Sequence, residues 1–296
     1  RGDYGACRRT CVFHHFDQRK PDKMTVNSAL TAPRYPSATV RSLVQAQQLH
    51  WEVKGKAIVS DVSFHVAPGE FVGIIGPNGS GKTSLISLLA GLLKPSSGSV
   101  TLENKNIRHY SRRHLAQKVA LVEQQAETSE RLTALQAVSL GRTPWLSLLS
   151  PWSKKDDDIV QTMLEKVDLQ RVQNRCWNTF SGGEKQRLHI ARALAQQPKV
   201  LLMDEPTNHL DIQHQIGLLN LVKRQKLTVI AALHDLNHAA MFCDRILVMK
   251  AGQLAMQGSP ATIFTPENLS QWFGINAIVE QAPDGLSCFI RYQRPE

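Results

Sequence analysis

The sequence predicts an α/β fold built on a mainly parallel sheet. Three observations carry that expectation. Apolar runs at 70–75, 200–203, 228–233 and 245–249 lack the polar alternation of a half-exposed strand, as strands covered on both faces do. Helical stretches at 183–196, 211–225 and 235–242 stand between the later runs, and parallel pairing needs such crossovers. A glycine-rich loop at 76–81 joins the first of these strands to a helical stretch at 82–93.

Taken in order, residues 1–23 (RGDYGACRRTCVFHHFDQRKPDK) show no apolar period and read as foreign to the rest, with Met24 a natural start. Residues 24–42 are rich in Ser, Thr, Pro and Ala and read as a flexible lead-in, so 1–42 form one N-terminal segment. From Leu43 the pattern changes. Residues 44–53 alternate loosely to a turn at Lys54-Gly55-Lys56, and 59–66 alternate again to Pro68-Gly69: two strands and a turn. The helix after the glycine loop ends at Lys94-Pro95 and the Ser96-Ser97-Gly98 turn. Residues 126–178 read as a small helical insertion, with helix-like pieces at 132–140 and 157–167 separated by Pro144-Trp145 and Pro151-Trp152. The body runs over 43–280, and 281–296 form a C-terminal extension.

Composition narrows the class. Of 296 residues, 42% are hydrophobic and 20% charged, which argues for a packed globular chain. The longest apolar runs, such as 88–93, are far shorter than the ~20 residues of a membrane span. The net charge of +10 is spread without a dense basic block or interleaved aromatics, so nucleic acid is not the expected partner. Cys7, Cys11, Cys176, Cys243 and Cys288 are odd in number and widely spaced, as free thiols are.

Gly76-Pro77-Asn78-Gly79-Ser80-Gly81-Lys82-Thr83 fits G-x-x-x-x-G-K-[ST] in the context that gives the motif meaning, a buried strand before it and a helix after it. Such a loop turns backbone N–H groups onto a phosphate at a helix N-terminus. Lys82 is then the cation for β- and γ-phosphates, and the Thr83 hydroxyl a Mg²⁺ ligand. The apolar run 200–203 ends in Asp204 and Glu205. A carboxylate at the end of a strand beside a phosphate loop suits a Mg²⁺ ligand, and Glu205 can deprotonate an attacking water. Ser181 with Glu184 three residues on forms a capping box. Gly182 and Gly183 are costly additions to a mere cap, and fit a backbone that must approach a phosphate.

These residues, with Gln124, FSGGEKQR (180–187), VLLMDEP (200–206), NHLD (208–211) and His234, resemble the nucleotide-binding subunit of an ATP-binding cassette (ABC) transporter over residues 43–280. Phe180, where Leu is usual, and Glu184, where Gln is commoner, are small departures. The resemblance implies a phosphate-loop NTPase core with an antiparallel β subdomain and a helical subdomain, binding ATP and Mg²⁺. It gives Trp51 as the aromatic stacked on adenine, against a reading as core tryptophan. Gln124, with Gln125 competing for the role, would reach Mg²⁺ or the attacking water. Asp211 would end the loop that crosses to a partner, and His234 would contact the γ-phosphate. A metal pair of His234 with His238 is the weaker reading of those two histidines.

The resemblance further implies a head-to-tail dimer of two copies. Each ATP would lie between one copy's phosphate loop and the other's Ser181, Gly182, Gly183 and Glu184. A separate permease would cross the membrane, with a periplasmic substrate-binding protein beyond it and this chain on the cytoplasmic face of the inner membrane. Residues 141–147 (GRTPWLS), 207–215 and 233–260 are similar to the importers of iron-siderophores, haem and cobalamin, with 141–152 and the following DDDIV (156–160) nearest the ferric-citrate type. Trp145 and Trp152 would stand by the permease groove or in the helical core.

Overall fold

The computed structural model describes residues 42–123, 132–208, 210–282 and 288–294. Strands β1 (Val44–Val53) and β2 (Lys56–Val66) form the expected hairpin, and β3 (Phe71–Ile75) leads into α1 (Lys82–Leu89). The helix stops at Leu89 rather than at 93, and Gly91 at φ +73° turns the chain away. Next come β4 (Ser97–Leu102), β5 (Lys105–Asn106), α2 (Arg112–Ala116) and β6 (Val119–Val122). The helical subdomain supplies α3 (Ala134–Ser139), a 3-10 turn at Leu140–Trp145, α4 (Lys154–Lys166) and α5 (Gly182–Ala195). α4 starts three residues before position 157, because Ser153 and Asp156 close a capping box there. The chain then runs through β7 (Val200–Asp204), α6 (Ile212–Arg224), β8 (Thr228–Ala232), α7 (Leu236–Phe242), β9 (Arg245–Lys250) and β10 (Gln253–Gly258). Helices α8 (Pro260–Ile263) and α9 (Pro266–Phe273) and strands β11 (Ala277–Gln281) and β12 (Cys288–Tyr292) complete it.

The main sheet has the order β10-β9-β3-β8-β7-β6, parallel except for the β10–β9 pair. Its strands divide their side chains strictly. Val72, Ile74, Leu202, Ile230 and Leu247 face a core shared with α1 and the antiparallel sheet. Phe71, Ile75, Leu201, Val229 and Ile246 face the core shared with α5, α6 and α7. Burial on both faces is why these strands read as unbroken apolar runs. The second sheet, β2-β1-β4-β5, is antiparallel throughout.

A buried ion pair fixes the helical subdomain. Arg142 Nε donates to Asp156 Oδ1 at 2.9 Å, and Nη1 donates to the Ala195 carbonyl at 2.8 Å, joining the 3-10 turn to α4 and α5. Ser153 and then Arg142 hold the Asp156 carboxyl below the ordinary aspartate range against the pull of burial. The boundary expected at 280/281 falls inside β11, which pairs with β12 from Ala277↔Tyr292 to Gln281↔Cys288. That hairpin is held to α7, where Asn237 exchanges two hydrogen bonds with the Ile290 backbone at 2.7 and 3.1 Å. The segment after 280 is therefore joined to the body. Among the described residues, no helix is long and apolar enough to cross a membrane.

Candidate functional site

The carboxyl ends of β3, β8 and β7 are neighbours in the sheet, so the residues following each strand meet at one edge. In open α/β sheets this is where ligands bind. The loop 76–81 follows β3, His234 follows β8, and Asp204 with Glu205 ends β7. The loop's shape demands glycine: a Cβ on Gly76 would stand 2.1 Å from the Met249 carbonyl oxygen, and one on Gly81, at φ +99°, 2.7 Å from that of Ile58. Pro77, Asn78 and Gly79 are exposed on the crest, while Ser80 is buried with its Oγ lacking a hydrogen-bond partner.

Lys82 is buried and its Nζ donates to the carbonyls of Gly76 at 3.0 Å and Pro77 at 3.3 Å. Burial pushes its ammonium below the ordinary lysine range, while the Glu205 and Asp204 carboxylates oppose that shift. Thr83 Oγ1 donates to Asp204 Oδ1 at 3.2 Å. Burial pushes the Asp204 carboxyl up. The Thr83 hydrogen bond opposes this, Glu205 adds to it, and Lys82 and His234 pull it back. The Thr83 hydroxyl and Asp204 carboxylate oxygens, side by side, are hard oxygen donors of the kind a Mg²⁺ ion takes.

Glu205 sits at φ +51°, a left-handed conformation uncommon outside glycine and characteristic of functional sites. Both its oxygens are occupied: Oε1 lies 2.5 Å from His234 Nε2, and Oε2 accepts from Asn208 Nδ2 at 2.7 Å. Sequence reasoning named Asn208 only as part of NHLD (208–211) and gave it no role. Its place three residues after Glu205, in a turn, was the available signal. His238 stands apart from His234, buried on α7 with its backbone N–H bound to Asp235, and no metal-binding cluster occurs among the described residues. Trp51 is half-buried on β1 opposite Val59 of β2, and β2 lies along the phosphate loop, where the Val59 Cγ2 would touch a Cβ on Gly81 at 3.7 Å. Gln124 and Gln125 lie outside the described residues.

A second cluster holds the signature residues. Ser181 caps α5, its Oγ accepting from the Glu184 N–H at 3.3 Å while Glu184 Oε2 accepts from the Ser181 N–H at 2.8 Å. Arg175 explains both departures in this motif. Its Nη2 donates to Glu184 Oε2 at 2.8 Å and to the Thr179 carbonyl at 2.9 Å, and its guanidinium lies 3.9 Å from the Phe180 ring centroid. The Ser181 N–H first, and then Arg175, holds the Glu184 carboxyl below its ordinary range. Gly182 has open space where a Cβ would stand. Asp211 caps α6, accepting from the His214 N–H at 2.9 Å.

A groove of about 720 Å³ runs between the end of α1, α2 and the helical subdomain, lined by Leu92, Arg112, Leu140 and Gln196 among others. Trp145 is exposed rather than part of the buried core, and its Nε1 donates at 2.9 Å to the carbonyl of Gln196, which lines the groove. Trp152 is also partly exposed and donates to Asp157 at 2.7 Å.

Comparison with known proteins agrees with this geometry. The family model described as ABC transporter matches residues 59–208. The petrobactin import ATP-binding protein FpuC of Bacillus anthracis is 38% identical over 230 residues, 76% of this chain and 85% of that one. The ferric enterobactin transport ATP-binding protein FepC of Escherichia coli (strain K12) is 34% identical over the same shares. The dimeric structure of MJ0796, a bacterial ABC transporter cassette, superposes with TM-score 0.65 at 29% identity, covering 73% of this chain and 97% of that one. A phosphate loop that only glycine can form, set against a paired Asp204 and Glu205, is thus found on a chain whose length aligns with such subunits, and the chain belongs to the ABC transporter family as an ATP-binding subunit, a transport ATPase.

Proposed function

We propose that this chain hydrolyses ATP to drive import of an iron(III) chelate through a separate membrane permease, working as a homodimer at the cytoplasmic face of the inner membrane. One observation carries the catalytic part: Lys82, Thr83, Asp204, Glu205 and His234 converge at one sheet edge. The loop 76–81 and Lys82 bind the phosphates of ATP, and Trp51 stacks on the base. Thr83 and Asp204, with Gln124, hold Mg²⁺, which supplies positive charge to the β- and γ-phosphate oxygens when bound. Glu205 takes the proton of the attacking water. His234 leaves Glu205 for the γ-phosphate.

The Ser181, Gly182 and Gly183 backbone offers N–H groups to ATP held by the second copy, with Glu184 fixing the cap and Asp211 reaching across. ATP therefore joins the two copies, and hydrolysis releases them. MJ0796, similar in fold, is described as a dimer. The groove beside Trp145 receives the permease, so that closure of the two copies pulls on the membrane subunits. By their names, FpuC serves petrobactin import and FepC ferric enterobactin transport. A periplasmic binding protein delivers the chelate, and the finer reading, ferric citrate, rests on residues 141–152 and 156–160.

The test is uptake. Cells lacking this gene should regain accumulation of labelled ferric citrate, or of a ferric siderophore, with the wild-type chain and not with Lys82→Ala. Wild-type complementation that restores neither, beside a purified chain that hydrolyses ATP, rejects the cargo class and leaves the ATPase standing.

A further inference from the structure

Gly183 has a neighbour that the phosphate-facing role does not require. A Cβ built there would stand 3.1 Å from Cδ2 and 3.3 Å from Cγ of the His214 ring, so the ring packs on the Gly183 backbone. The same ring reaches in the other direction: Nδ1 donates to the Asp211 carboxylate, 2.8 Å from Oδ1 and 2.7 Å from Oδ2. Asp211 is fixed in turn as the cap of α6. One side chain thus spans the gap between α5's N-terminus and the residue that opens α6.

We propose that His214 is a positioning residue for ATP hydrolysis, holding the signature glycines at a set distance from Asp211 so that the two meet the partner copy's nucleotide as one rigid unit. Both are the elements a protomer presents across the dimer, which is where the inference rests on the sandwich reading above. The ring supplies the spacing through Gly183 and the orientation through Asp211. A subunit without it keeps its own phosphate loop intact, because Lys82 and Thr83 make no contact through His214. What it loses is the fit of its second surface to the nucleotide of the other copy.

The test separates the two surfaces. In otherwise wild-type protein, His214→Ala should leave ATP affinity of the single subunit within about two-fold while kcat falls ten-fold or more, the scale on which misplacing a reacting geometry acts. In a Glu205→Gln background the ATP concentration giving half-maximal dimer should rise by a similar factor. His214→Phe, which keeps a ring against Gly183 but not the Asp211 bond, should recover part of both and carries the test where His214→Ala fails to fold. Wild-type kcat and dimer formation in both variants overturn the proposal. A Glu205→Gln parent that never dimerises with ATP removes the sandwich reading and this inference with it. A parent that dimerises no better than its His214→Ala derivative removes this inference alone.

Discussion

His234 Nε2 lies 2.5 Å from Glu205 Oε1, which pairs the residue at the end of β8 with the one at the end of β7. Asn208 holds the other oxygen at 2.7 Å, and the positive φ of Glu205 aims the carboxylate between these donors. The group read as the general base thus has both oxygens occupied within its own subunit. For Glu205 to act on a water, one of those partners has to give way, and in the function proposed above it is His234.

His234→Ala should therefore keep ATP binding, since Lys82 and Thr83 are untouched, and lower kcat by about 10²-fold, the lower range of what one positioned group contributes. Equilibrium binding of a fluorescent ATP analogue and steady-state phosphate release measure the two separately. A parallel loss of affinity and rate would assign His234 to binding rather than to chemistry.

Arg175 ties Glu184, Thr179 and Phe180 together ahead of α5. Arg175→Ala should destabilise the chain by about 1 kcal/mol, because the pair is partly exposed and screened. Its effect on kcat should be larger than on ATP affinity, since the frayed cap lies on the surface facing the partner copy. Arg175→Lys should fail to restore activity, as an ammonium lacks the planar fork that binds three oxygens and covers a ring. Thermal melts beside ATPase assays decide this, and full activity in Arg175→Ala would mean the cap holds without it.

The sequence was most legible where one local pattern dictates the structure. Strands β3, β7, β8 and β9 are buried on both faces and were found within a residue or two. The glycine loop declared its own geometry, because Gly76 and Gly81 sit where a Cβ collides with backbone. Pairings across long stretches of sequence were not legible. β4 inserts between β1 and β5 with a break in register between Gln47 and His50. Arg142 finds Asp156 in the interior, and the β11–β12 hairpin docks on α7 through Asn237. Asn208 is a local case that was also missed: it stands three residues after Glu205 in the same turn, where an asparagine reads first as turn chemistry.

His189 gives a pH signature. It is buried edge-on to Trp177, with ring centroids 4.8 Å apart, and burial first, then Arg192 and Lys185, pushes its pKa down to about 4. The unfolded chain binds this proton below the ordinary histidine range near 6.5, and the folded chain does not. Stability should thus fall as pH drops from about 6.5 to 4, by up to about 3 kcal/mol from this residue. His189→Phe keeps a ring beside Trp177 and cannot titrate, so its stability should fall less over the same interval. Urea unfolding of both proteins at a series of pH values reads the difference, and parallel curves would show that His189 titrates normally in the folded chain.

Glu205→Gln tests the reading of the site most directly. The amide keeps the size of the side chain but not its basicity. Asn208 can still donate to the remaining carbonyl oxygen. Lys82, Thr83 and Asp204 are unchanged, so ATP and Mg²⁺ should bind as before while hydrolysis slows by about 10²–10⁴-fold, the usual worth of a positioned base. ATP that is not consumed stays between the phosphate loop of one copy and the signature glycines of the other. The variant should then elute as a dimer with ATP and as a monomer with ADP or without nucleotide. Hydrolysis at the wild-type rate would remove Glu205 from the chemistry. An inactive variant that stays monomeric with ATP would keep Glu205 as the base and remove the sandwich reading in which ATP joins two copies.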